Sequence, residues 1–253
     1  MKFTKTILAT VATAVFLGGT ALTASAEEET PTGDLSVSLL SKYVWRGYEL
    51  SNDSIVVQPS LTAGYKGFGF NLWGNLDTDQ DEEIFGTDGA NFNETDMTLS
   101  YDGSAGIVGY SIGYIYYGLD GVDDTQEIYA GVSVDTIAAP SLTIYRDYDE
   151  FPGWYVNLSA SHSFPVTEAI SVDVGGHISY LMVDETSTMA DPGDPTSEYS
   201  DFHDGQVSVS ASIPVTEYLS VTPELYYSFP LGSDASDVID DQIYGGITLS
   251  MAF

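Results

Sequence analysis

From residue 33 onward, apolar and polar positions alternate in short runs separated by turn-forming residues. Strict alternation is the signature of strands with one apolar and one wet face, and little of the chain shows a helical period. The clearest case sets Ile170, Val172, Val174, Gly176, Ile178 and Tyr180 against Ser171, Asp173, Gly175, His177 and Ser179. The same pattern holds over 206–213, 219–229 and 243–253, with small or polar residues on the second face each time. A soluble sandwich also alternates, but it does not usually need so small and polar a second face on every strand. The predicted strands are 35–47, 55–65, 67–77, 94–102, 106–117, 125–135, 141–148, 153–164, 169–182, 204–213, 218–229 and 241–253. About twelve is an even number, as a single-chain barrel needs when both termini lie on the periplasmic side. The predicted fold is therefore an all-β, antiparallel transmembrane β-barrel.

Connection lengths sharpen this reading. Short turns are expected at Lys66-Gly67, Asp102-Gly103-Ser104, Ile137 to Pro140, Pro165 to Glu168 and Pro214 to Glu217. Longer, acidic connections lie at 78–93, 118–124, 183–203 and 230–240. Short periplasmic turns opposed by long external loops are typical of outer-membrane barrels. An internal echo, SFPVTEAISV at 163–172 and SIPVTEYLSV at 212–221, marks two equivalent periplasmic hairpins. Tyr43, Trp45, Tyr114, Tyr116, Trp154, Tyr155, Tyr180 and Tyr227 fall near predicted strand ends, where interfacial aromatics belong.

The two ends read as export and assembly signals. Lys2 and Lys5, an apolar run from Ile7 to Leu22, and Ala24-Ser25-Ala26 form a secretory signal peptide over 1–26. A short leader over 27–34 and a barrel over 35–253 follow. At the other end, Ile247, Leu249, Met251 and Phe253 share one face with Tyr244 upstream. This pattern resembles the terminal signal read by the barrel assembly machinery, so that machinery and outer-membrane lipid are expected partners.

Charge narrows the range of partners. Outside the expected signal, Lys42, Arg46, Lys66 and Arg146 face 38 acidic residues. Such a chain repels nucleic acid and suits cations. No cysteine is present, so stability in an oxidising compartment has to come from hydrogen bonds and packing. Mean hydropathy is zero, because lipid-facing and lumen-facing residues cancel.

The stretch SLLSKYVWRGYELSNDSIVVQPSLTAGYKGFGFNLWGN, residues 38–75, carries a more specific pattern. Ser41-Lys42-Tyr43-Val44-Trp45-Arg46-Gly47 resembles the opening strand of the TorF-like porin family of outer-membrane barrels. Gly153-Trp154-Tyr155 and the terminal Phe253 are also similar to that family. The resemblance implies a porin without naming a solute. It is specific only near residues 38–75, and the acidic loops of this chain weigh against an anion preference.

Parity turns Lys42 and Arg46 into the lumen with Ser36 and Ser38, while Asp96, Asp173 and Glu224 lie on inward faces of other strands. These five are the lumen and selectivity candidates. The competing reading is that Lys42 and Arg46 merely neutralise lumen acids in an interior filled by side chains. Asp77, Asp79 and Asp81 open like a calcium loop, but Glu82 and Asp88 stand where such a loop needs Gly and Glu. They are weak metal candidates at most, and Asp184-Glu185 with Asp191 to Asp194 form a weaker cluster. His162 has lipid-facing parity, His177 points inward and His203 sits at a loop edge. No catalytic, cofactor or nucleotide motif accompanies them, so no cofactor and no enzymatic activity are expected. The leading reading is a porin-like channel for small solutes or ions that favours cations. The alternative is a structural or surface-interaction barrel with a plugged lumen, and an outer-membrane enzyme trails both.

Overall fold

A computed structural model describes residues 30–80, 89–184 and 199–253. The described residues form fourteen strands: β1 (Thr32–Leu40), β2 (Val44–Trp45), β3 (Tyr48–Glu49), β4 (Val56–Tyr65), β5 (Phe68–Gln80), β6 (Gly89–Ala105), β7 (Val108–Leu119), β8 (Thr125–Val134), β9 (Ser141–Asp147), β10 (Gly153–Pro165), β11 (Ser171–Val183), β12 (Tyr199–Pro214), β13 (Leu219–Pro230) and β14 (Gln242–Ala252). β2 and β3 form a separate two-stranded hairpin, and the other twelve close into one antiparallel barrel in which β1 pairs with both β14 and β4. Backbone bonds at the seam run from Gly33 N–H to Phe253 O (2.7 Å) and from Phe253 N–H to Gly33 O (2.8 Å). Closure leaves no edge strand in the barrel wall, which hydrocarbon demands. The expected signal peptide lies outside the described residues.

The two faces sort as the alternation predicts. Leu35, Val37 and Leu39 of β1 and Ile243, Ile247, Leu249 and Met251 of β14 are exposed on the outside. Ser36 and Ser38 of β1 and Thr248 of β14 are buried inside. Inward hydroxyls and amides bond across strands, as in Ser38 with Thr248 (2.7 Å) and Ser141 with Ser159 (2.7 Å). An apolar outer belt around a polar interior is the surface of a protein dissolved in lipid, and the chain is an outer-membrane barrel.

Most boundaries shift by a residue or two from those the alternation predicts, and larger differences include the start of β6, at Gly89 instead of 94, and those that follow. β1 begins at Thr32 and ends at Leu40 instead of running from 35 to 47, and beyond it Tyr43, Val44 and Arg46 are buried inside the barrel. β6 runs on through Asp102, Gly103 and Ser104, and the reversal comes at Gly106-Ile107, where Gly106 takes φ +66°. β12 begins at Tyr199, five residues before 204. Its pairing with β11 shifts register between Ile178 and Tyr180. This bulge lets the consecutive residues His203 and Asp204 both bury on the lumen side, so His203 is no loop-edge residue.

Candidate functional site: a hairpin across the lumen

After Leu40 the chain leaves the wall, and β2 and β3 pair through Val44 with Glu49 and Trp45 with Tyr48. The two-residue turn between them is Arg46-Gly47, at φ +48° and +84°. Both central residues in the left-handed region give the tight reversal a two-residue hairpin favours. Gly47 is needed for space as well. A Cβ there would come within 2.6 Å of Ile239 Cδ1 and 3.1 Å of Asp204 Cβ.

The hairpin reaches several walls at once. Tyr43 packs with Leu40, Val56 and Trp73, its ring centroid 5.6 Å from that of Trp73. Val44 packs against Tyr226 and Tyr244. Tyr48 joins Tyr145 and Val238 around Tyr155, Leu181, Val183 and Tyr199. Arg46 lies at the tip. Its guanidinium holds Glu127 of β8 bidentately, at 2.7 and 2.8 Å. Trp45, Tyr145 and Tyr155 surround it, with ring centroids 4.4, 4.9 and 4.3 Å from its central carbon. β8 is five strands from β1 by the shorter way round, so this pair ties the hairpin to the far wall.

Buried polar groups behind the tip complete the anchor. His203 places Nε2 3.0 Å from the Arg46 carbonyl oxygen and Nδ1 2.7 Å from the Tyr199 hydroxyl. A carbonyl only accepts, so Nε2 carries the proton and Tyr199 donates to Nδ1. Asp204 accepts from the Tyr155 hydroxyl (2.9 Å) and from Ser179, and pairs with His177 Nε2 at 2.8 Å.

The sequence candidates are not gathered into one cluster. Lys42 does not project from a strand. It lies in the inturned connection, where it pairs with Glu49 (3.0 Å) and Asp53 and donates to Gln242 (2.9 Å). Arg46 is inside the lumen as parity suggests, but a turn puts it there and not a strand. Asp96 is buried on the inner face of β6, and Glu224 accepts from Tyr226 (2.7 Å) and Thr248 (2.7 Å). Asp173 is half-buried between Ser163 and Ser210. Asp77 is fully buried, accepts from Ser54 and caps the Asp79 amide, whereas Asp79 is exposed and Asp81 lies outside the described residues. Asp184 pairs with Arg146 at 2.8 Å, and Glu185 and Asp191 to Asp194 also lie outside the described residues. No group of three or more metal-type ligands occurs among the described residues.

Three aromatics assigned to the membrane interfaces belong inside. Tyr43 and Tyr155 are buried in the lumen and Trp45 sits on the hairpin, because all three serve the hairpin's packing. Trp154 and Tyr227 remain exposed on the outer face. Of the assembly residues, Ile247, Leu249, Met251 and Phe253 are exposed, while Tyr244 points inward and stacks on Tyr226. Glu127, the partner of Arg46, is absent from the sequence candidates. Its place between Thr125 and Tyr129 on the inner face of β8 is the signal that identifies it.

No protein-family model matches the chain, and neither does any curated protein sequence. Solved structures match the fold. An outer membrane channel from Pseudomonas putida F1 is similar at TM-score 0.53 and 12% identity, over 91% of this chain and 97% of that one. LpxR from Salmonella typhimurium is similar at TM-score 0.51 and 11% identity, over 87% of this chain and 99% of that one. Both likenesses place this chain in the outer-membrane barrel fold.

Proposed function

We propose that the protein is a narrow channel of the outer membrane, constricted by its inturned hairpin and favouring small cations. The neutralisation of Arg46 carries this reading. A lone guanidinium at the constriction would repel cations, but Glu127 cancels it at 2.7 Å. Lys42 is likewise cancelled by Glu49 and Asp53. Asp147, Asp173 and Glu224 remain on inner faces of the wall, and the low-dielectric walls strengthen their field. The resemblance to TorF-like porins and the likeness to a solved channel agree with this reading. The dense packing around the hairpin favours the second reading, a plugged structural barrel.

Planar-bilayer recordings under a salt gradient separate these readings. A cation-selective reversal potential that weakens as salt rises is expected, because screening grows as the Debye length falls from about 10 Å at 0.1 M to 3 Å at 1 M. An anion-selective sign at low salt overturns the proposal, and an absence of conductance supports the plugged barrel.

A further inference from the structure

We propose that Glu94, Asp96 and the Tyr43 hydroxyl form a binding site for a hard divalent cation of the calcium type, held between β6 and the stem of the inturned hairpin. Glu94 and Asp96 are two residues apart on one strand and so project from the same face, which here is the lumen. Both are buried, at 7% and 5% exposure. Their carboxyl groups are in contact with each other, and the Tyr43 hydroxyl is directed at Glu94. Tyr43 is 2% exposed, and neither its hydroxyl nor Asp96 Oδ1 completes a hydrogen bond of ordinary geometry. The Tyr43 hydroxyl and Asp96 Oδ1, neither of them well satisfied, thus lie beside a pair of touching carboxyls.

The neighbouring groups are committed elsewhere. On β5, Asn75 gives its amide to Asn93 and accepts from Gln58, and on β7 Tyr117 donates to Glu127. The described basic side chains are also committed. Arg46 holds Glu127, Lys42 holds Glu49 and Asp53, Lys66 lies over Tyr65, and Arg146 pairs with Asp184. Two buried carboxylates in contact cannot both ionise without a compensating positive charge. Either they share a proton or they hold a cation. The donor set is all oxygen, which selects a hard ion, and two carboxylates balance two positive charges. Calcium tolerates irregular coordination completed by water, and a barrel lumen supplies water. Because Tyr43 belongs to the hairpin stem, an ion held here also fastens the hairpin to the wall. The inference rests on the lumen geometry of the proposed channel but not on conduction, so a pore that fails to conduct leaves it standing.

Terbium serves as the probe, added to the folded full-length barrel in detergent. Tyr43 and Trp73, in ring contact with each other, provide the sensitising chromophores beside the site. The expected result is a saturable emission component that calcium displaces and that Glu94→Gln with Asp96→Asn abolishes, with folding confirmed by heat-modifiable gel mobility. Tyr43→Phe keeps the ring packing and both charges, so it weakens binding several-fold and serves if the double variant does not fold. Identical titrations for parent and variants mean that only the acidic loops bind, and overturn the proposal. So does the absence of a saturable, calcium-displaced component in the parent, which means that the pair shares a proton.

Discussion

Replacing Arg46 with alanine is expected to raise single-channel conductance several-fold and to shift the reversal potential further toward cation selectivity. Arg46 is the contact that carries the hairpin to the far wall, through a bidentate bond to Glu127 and three aromatic rings. Removing one partner of a buried pair costs about 3–5 kcal/mol, and each lost cation–π contact about 0.5–2 kcal/mol. That loss falls on the tip of a segment whose backbone pairing is only two residue pairs long. The twelve-strand ladder does not depend on it, so the barrel stays folded while the hairpin loosens. Glu127 then faces the constriction without a counter-charge. Glu127→Gln makes the opposite change, leaving the guanidinium unpaired, and is expected to move selectivity toward anions. Parent-like conductance and reversal potential in Arg46→Ala would show that this residue does not set the constriction.

Ile247→Arg is expected to cut the yield of folded protein in the outer membrane severely. Ile247 lies mid-strand on β14, is 49% exposed, and pairs with Leu39 on one side and Pro223 on the other. An arginine at the bilayer midplane costs such a barrel about 2–4 kcal/mol, falling to about 0–1 near the interfaces. Leu249→Arg, two residues nearer the terminus, is therefore expected to reduce yield less. Ser250→Arg, on the inner face of the same strand, is expected to assemble almost normally. Heat-modifiable mobility of membrane fractions reads all three. Equal yields for Ile247→Arg and Ser250→Arg would contradict the assignment of the β14 faces.

The barrel was legible in the sequence because lipid and water impose opposite demands on neighbouring residues, and a period of two records both. The hairpin was not, because alternation continues across the point where the wall ends. Lys42, Val44 and Arg46 keep the parity of Ser36 and Ser38, and nothing in that pattern separates a strand from an inturned segment. The distinguishing signal is chemical. Arg46-Gly47 is the same kind of pair as Lys66-Gly67, and both turns adopt nearly the same conformation, with φ of +48° and +84° against +51° and +82°. His203 was misplaced for another reason. The expected strand starts at 204, whereas β12 starts at Tyr199 and a bulge opposite Ser179 turns both His203 and Asp204 inward. Tyr43, Trp45 and Tyr155 show a third limit, since a tyrosine or tryptophan near a strand end suits an interface and a filled lumen equally.

In the proposed channel the hairpin narrows a lumen that would otherwise be open. Single-channel conductance of the parent, compared with a variant in which residues 42–54 are replaced by a short Gly-Ser link, tests it most directly. A small but finite conductance is expected for the parent and a several-fold larger one without the hairpin, both cation-selective at low salt. Equal conductance in the two proteins, or none in either, would contradict it.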